Sequence, residues 1–181
     1  MIIHIAISLL QLLLNYAPLD AISNFFLLYH YSTMTVREHI LVVNGSNIRP
    51  WWIFHHYLSI VLAATLLVWP NGPTYQSIRP SIVYFGLYMA VVQLMQYRNQ
   101  VSRLYTLRAL SRVDPMETTT DAENLHLTTS LIILLPFLFF GHGFQFFMSF
   151  RFYKLAVLTL FSEWQVILLS GLFACIASGN L

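Results

Sequence analysis

Apolar positions along the chain gather into six runs separated by short polar breaks. The pattern predicts helices over Met1–Tyr16, Ala21–Val43, Pro50–Trp69, Ser81–Arg112, Leu125–Phe150 and Trp164–Leu181. Ala17–Pro18–Leu19–Asp20 breaks the first run, and Asp20 suits the N-cap of the second helix. Pro50 fits a first helical position, where a missing N–H costs nothing. Asn71–Gly72–Pro73 reads as a turn. Runs near 20 residues match one membrane crossing, and a barrel strand needs only about half that length. The expected architecture is therefore all-α: a polytopic membrane protein whose residues 1–181 form one domain of six transmembrane helices. The first run is short with no polar segment before it, and the last ends abruptly at Leu181, so a truncated chain is expected.

Polar residues inside these runs keep to stripes. On the second helix Asn24, Tyr31, Thr35 and Glu38 are spaced by 7, 4 and 3, which is one helical face. Gln93, Gln96 and Gln100 on the fourth helix are spaced by 3 and 4, as are His142, Gln145 and Ser149 on the fifth. The third helix carries adjacent histidines, His55 and His56, one turn inside its apolar run. Trp51 and Trp52 stand four positions before them and suit a membrane interface. Ionisable groups in such a run are costly in lipid and mark a site when they face a protein cavity. Four polar stripes are best satisfied by one shared interior, either a closed hydrogen-bond network or a water-filled pocket. The pocket is favoured, because the amides and imidazoles exceed what four helices need as mutual glue.

Composition agrees with a membrane protein. The chain is 57% hydrophobic and only 9% charged, against about 25% charged in soluble domains. A net charge of +2 with no Lys/Arg-rich run gives no reason to expect nucleic acid. One cysteine, Cys175, excludes an internal disulfide and a cysteine metal site. His55, His56 and His142 are too few for a membrane di-iron oxygenase, so no metal is expected. An imidazole in the pocket could act as base or nucleophile in acyl transfer. Arg98, Arg103, Arg108 and Arg112, on an amphipathic extension of the fourth helix, suit lipid headgroups or a phosphate-bearing cofactor. Asp114–Glu123 is an acidic linker. Arg49 and those four arginines outnumber Arg79, Arg151 and Lys154 at the opposite ends, which puts both termini in the cytoplasm. The sequon Asn44–Gly45–Ser46 then faces the cytoplasm and is not expected to carry glycan.

Five stretches together resemble one family: TVREHILVVNGSNIRPWWIFHHYLS at Thr35–Ser59, WPNG at Trp69–Gly72, LYTLRALSR at Leu104–Arg112, LLPFLFFGHGFQ at Leu134–Gln145 and EWQV at Glu163–Val166. In order and nearly throughout, the chain resembles the transmembrane protein 120 family, also called TACAN or TMPIT-like. The resemblance implies a six-helix barrel similar to that of the fatty acid elongases, built around a polar pocket. It implies coenzyme A or an acyl-CoA in that pocket, a role in lipid metabolism, and a homodimer. Trp52, His55 and His56 of the WWxFHH motif, Gln96 and Gln100, and Asn24 match the family's cofactor contacts, with His142 in the FFGH motif beside them. The same resemblance leaves two other readings open: a mechanically gated ion channel, or a nuclear-envelope protein that affects fat-cell differentiation without catalysis. It implies the inner nuclear membrane and endoplasmic reticulum, or the plasma membrane. Family members carry an N-terminal coiled coil and a basic C-terminal tail, and neither is found within these residues, so dimerisation of this chain is left open. The elongases' His-x-x-His-His box is matched here with Trp52 at its first position, which weighs against elongase-type acyl chemistry and leaves enzymatic activity open.

Overall fold

The computed structural model describes residues 2–109, 129–159 and 163–180, with side chains over 2–102, 132–159 and 163–180. The described residues form six α-helices: α1 (Ile2–Leu13), α2 (Ala17–Val43), α3 (Pro50–Val68), α4 (Pro73–Ala109), α5 (Thr129–Leu158) and α6 (Trp164–Gly179). The expected acidic linker Asp114–Glu123, Arg112 and the expected start of the fifth helix at Leu125 lie outside the described residues.

Proline accounts for two differences from the expected elements. α2 starts at Ala17, four residues before the expected Ala21, because Pro18 sits in the first turn where its missing N–H is tolerated. Asp20 is thus not the N-cap but a residue of the first turn, and Tyr16 holds the cap position without a side-chain bond. α4 starts at Pro73 and runs through Pro80 instead of beginning after it. A proline inside a helix forfeits one backbone bond, here the one to the Gln76 carbonyl. α5 likewise contains Pro136 and continues past the expected Phe150 to Leu158, so Arg151 and Lys154 are helical rather than in a loop.

Three helical segments are long and apolar enough to cross a membrane: Pro50–Val68, Pro73–Ser102 and Ile132–Leu158. α1 and α6 are apolar but shorter. α2 has the length, yet carries Asp20, Arg37 and Glu38. With 37 residues α4 is about 55 Å long, well beyond a hydrocarbon core of about 30 Å.

Each helix packs on two others, in the cyclic order α1–α2–α3–α6–α5–α4 and back to α1. All neighbours in the ring run antiparallel: α1, α3 and α5 descend, and α2, α4 and α6 ascend. The α2–α3 turn marks one end of the ring, called the upper end below. The α1–α2 and α3–α4 connections and the start of α6 mark the lower end. At that turn Gly45 takes φ +91°, a left-handed conformation that favours glycine.

Side chains reach across the ring. Trp69 packs on Phe152 and, edge to face, on Tyr75. Phe85 meets Phe173, which stacks on Phe152 at 5.5 Å. With Leu66, Ile78, Met148, Leu169 and their neighbours these rings form a buried apolar core in the lower half.

A buried ion pair ties this end together. The Arg79 guanidinium donates to both Asp20 oxygens, from Nε at 2.5 Å and Nη2 at 2.8 Å. Gln11 and Tyr75 donate to the same carboxylate at 2.9 and 3.1 Å. The Arg79 Nη2 also donates to the Gln11 and Leu14 carbonyls, so one arginine closes the end of α1 onto α2 and α4. Arg79 is therefore not the free loop charge counted for orientation; it is 7% exposed and neutralised within the ring. Removing one partner of a buried pair strands the other charge, at about 3–5 kcal/mol. Arg79→Ala should lower the thermal midpoint of the detergent-purified protein by many degrees, and the double variant Asp20→Leu, Arg79→Leu should recover most of the loss.

Candidate functional site: the polar end of the helix ring

The upper half of the ring differs from the lower. Here α2 contributes Glu38, Thr35 and Tyr31, α3 contributes Trp52, His55 and His56, α4 contributes the glutamines, and α5 contributes His142 and Gln145. The α2 stripe read from spacing is real: Thr35 and Glu38 are buried, while Asn24 and Tyr31 are half-buried.

Glu38 is the centre of this cluster. One carboxylate oxygen accepts the Trp52 indole N–H at 2.8 Å, and the other meets His56 Nδ1 at 2.7 Å. Glu38 and His56 are 6% and 5% exposed, which makes this a second buried polar site, one that fixes two aromatic side chains. Spacing placed Glu38 on the inner face of its helix without identifying it as a site residue. Only the tertiary pairing of α2 with α3 shows what it holds.

His55 lies beside this pair. The Trp52 ring stacks on its imidazole, with centroids 5.8 Å apart and planes 18° apart. His56 is 5.5 Å away, ring centre to ring centre. The Nδ1 of His55 is buried and makes no hydrogen bond with a described residue. A buried polar atom in that condition is rare in folded proteins.

The remaining expected site residues divide. Gln93 donates to the Tyr31 hydroxyl at 3.2 Å and spans α4 to α2. Gln96 is half-buried and Gln100 exposed, one and two turns further up the same helix. His142 pairs with Gln145 at 3.3 Å. Ser149 leaves the stripe: it and Ser170 donate to each other's carbonyls at 2.8 and 3.0 Å, a link between α5 and α6. Asn24 stands apart, about 21 Å below Glu38 along α2. Trp52, His55 and His56 are thus brought together, His142 pairs with Gln145 on its own helix, Gln96 and Gln100 lie along α4 toward its upper end, and Asn24 lies lower on the α2 inner stripe.

Two further contacts frame the site. Trp51 donates to Asn180 at 3.2 Å, and its ring lies so close over Gly179 that an added methyl group would overlap it. His39 and Tyr57 pair at 2.8 Å on the outside of α2 and α3.

The comparisons with known proteins agree with this picture of a helical membrane protein. The family model TMEM120A/B matches residues 1–181. The chain belongs to the TMEM120A/B family. It is 42% identical to Transmembrane protein 120B of Danio rerio over 168 residues, covering 93% of this chain and 50% of that protein. Transmembrane protein 120 homolog of Drosophila melanogaster is 39% identical over 180 residues, 99% of this chain and 46% of the relative. Transmembrane protein 120B of Homo sapiens is 38% identical over 170 residues, 94% and 50% respectively. The chain spans about half the length of the curated relatives it matches. As a TMEM120 family member it is a membrane protein, in keeping with its three apolar spans.

Each bond to a charged partner contributes about 1.5–3 kcal/mol. Glu38→Ala, which frees both Trp52 and His56, should destabilise by about 3 kcal/mol or more. Glu38→Gln, which keeps an acceptor for the indole, should cost less. Thermal unfolding of the two variants beside wild type checks the order. Gly179→Ala should also lower the midpoint, because Trp51 has to leave its place against α6.

Proposed function

We propose that this protein binds coenzyme A or an acyl-CoA in the polar end of the helix ring, with a role in lipid metabolism. The observation that carries the reading is His55 Nδ1, a buried polar atom without a partner among the described residues, under a tryptophan that is 44% exposed. An unsatisfied imidazole beside an open indole face fits a ligand that offers both a hydrogen-bonding group and a flat ring. Coenzyme A offers amides, phosphates and an adenine. In this reading Trp52 stacks on or packs against the cofactor, and His55, His56, His142, Gln96 and Gln100 hydrogen-bond it. Asn24, about 21 Å below Glu38 and toward the closed half of the ring, is the expected contact that this placement of the ligand does not use. Arg98, exposed between Gln96 and Gln100 but on the opposite side of α4, adds positive charge at that end of the ring.

The same reading takes all six helices as crossings, arranged as an elongase-like barrel with both termini on the cytoplasmic side. Alternating helix directions support it. So does charge: exposed Arg37, Arg49 and Arg98 lie toward the upper end, and with Arg79 neutralised by Asp20 the lower end keeps only Arg151 and Lys154. Binding is favoured over conduction because Trp69, Tyr75, Phe152 and Phe173, each 6% exposed or less, close the lower half of the ring. Acyl chemistry at His55 or His56 is a further step that the reading does not need. Coenzyme A binding, the membrane compartment and a homodimer of the longer family proteins come from resemblance.

Mass spectrometry of the denatured, detergent-purified protein tests it. Wild type should release coenzyme A or a thioester, and Trp52→Ala, His55→Ala should release little while keeping a cooperative thermal transition. A folded wild type that yields no cofactor and shows no affinity for added coenzyme A would overturn the reading.

A further inference from the structure

The outer face of α5 carries a pattern that the pocket does not use. Phe140, Phe144, Phe147, Arg151 and Lys154 follow at intervals of 4, 3, 4 and 3, a single stripe down the helix. Phe140, Gly143, Phe144 and Phe147 line an open apolar groove of about 400 Å³. Gly143 forms part of its floor, and a side chain there would meet nothing within 4 Å. The groove leads downward to two cations. The Arg151 guanidinium lies 5.9 Å from the Phe147 ring centre, a cation–π contact that keeps it at the foot of the groove. Lys154 is exposed one turn below. Neither cation has an ion pair among the described residues, whereas Arg79 at the same end is neutralised by Asp20.

The level of these residues in the bilayer agrees with their chemistry. Lys154 and Arg151 are within about two turns of the lower end of α5, where exposed Tyr153 and Trp164 suit an interface. An aromatic groove at acyl-chain depth that ends in two unpaired cations at headgroup depth matches one kind of ligand. We infer that this face of α5 is a binding site for an anionic phospholipid, with an acyl chain along Phe140–Phe147 and the phosphate on Arg151 and Lys154. The site is independent of the coenzyme A pocket, which lies inside the ring.

The selectivity should be measurable. A basic side chain near an anionic surface is worth about a fivefold preference, so two should favour phosphatidylglycerol over phosphatidylcholine by about tenfold or more. Native mass spectrometry of the purified full chain, titrated with each lipid carrying the same acyl chains, reads this ratio. Arg151→Gln with Lys154→Gln should reduce the ratio to about one. Gly143→Leu fills the groove, improves helix propensity and removes no contact, so it should weaken retention of both lipids in a folded protein. A wild type that holds the two lipids equally, or a ratio untouched by the double charge variant, would overturn the inference. So would a Gly143→Leu protein that keeps its lipid but changes from dimer to monomer, since the groove would then be an interface between copies. Bound cofactor measured in the same samples should be unchanged by all three substitutions.

Discussion

Hydrocarbon offers no hydrogen bonds, so every polar side chain placed within it must be satisfied by the protein itself. This constraint organises the helix ring. The Asp20 carboxylate accepts from Gln11, Tyr75 and Arg79 and so joins α1, α2 and α4. Glu38 accepts from Trp52 and His56 and joins α2 to α3. Glu163 accepts the Trp69 indole N–H at 2.7 Å and joins α6 to α3, and Ser149 with Ser170 joins α5 to α6. Hydrophobic burial alone gives little preference between one helix neighbour and another when lipid is equally apolar. Directional polar bonds between particular helices supply that preference. The α4–α5 seam differs in kind among the described contacts: beside the Tyr88 hydroxyl on the Phe137 carbonyl, it has aromatic packing among Phe85, Tyr88, Phe140 and Phe144.

The two ends of the ring meet the constraint differently. Below, rings fill the interior and the one ion pair has all its strong partners. Above, the network is incomplete. Glu38 is satisfied and the histidine beside its partner is not. An unsatisfied buried nitrogen costs free energy that the fold could have avoided with an apolar residue. Its place between Trp52 and His56 is one that the proposed ligand would complete. Exposed Trp52 and the partly exposed glutamines on α4 are compatible with the proposed ligand.

Much of this was legible in the sequence, and the failures have physical causes. The period of the α2 stripe located its inner face, since a helix fixes which residues point together whatever surrounds it. The WWxFHH run likewise located the polar cluster on α3, where Trp52 and His56 bond Glu38. Proline misled the element boundaries: Pro18 and Pro80 look like breaks, yet one starts a helix and the other is carried within one at the cost of a bond. Arg79 looked like a loop cation for the same reason, because the helix holding it was taken to begin two residues later. What spacing cannot supply is the partner. Glu38 gains its importance from α3, and Arg79 its burial from Asp20, 59 positions away in the chain.

Burial and exposure of charge also separate the two kinds of basic residue at the lower end. Arg79 is spent on the fold, because its guanidinium is enclosed by a carboxylate and two carbonyls. Arg151 and Lys154 lie on the outside of α5 with no such enclosure, below a groove that four small or aromatic residues leave open. In water such a pair would be ordinary surface. Against lipid, the solvent beside them is itself a set of acyl chains ending in phosphates, so a groove continuous with two cations selects among the molecules already in contact with it. The polar cluster inside the ring and the exterior stripe are therefore consequences of one rule applied on opposite faces of the ring. Polar groups in a membrane are retained where something other than water completes them.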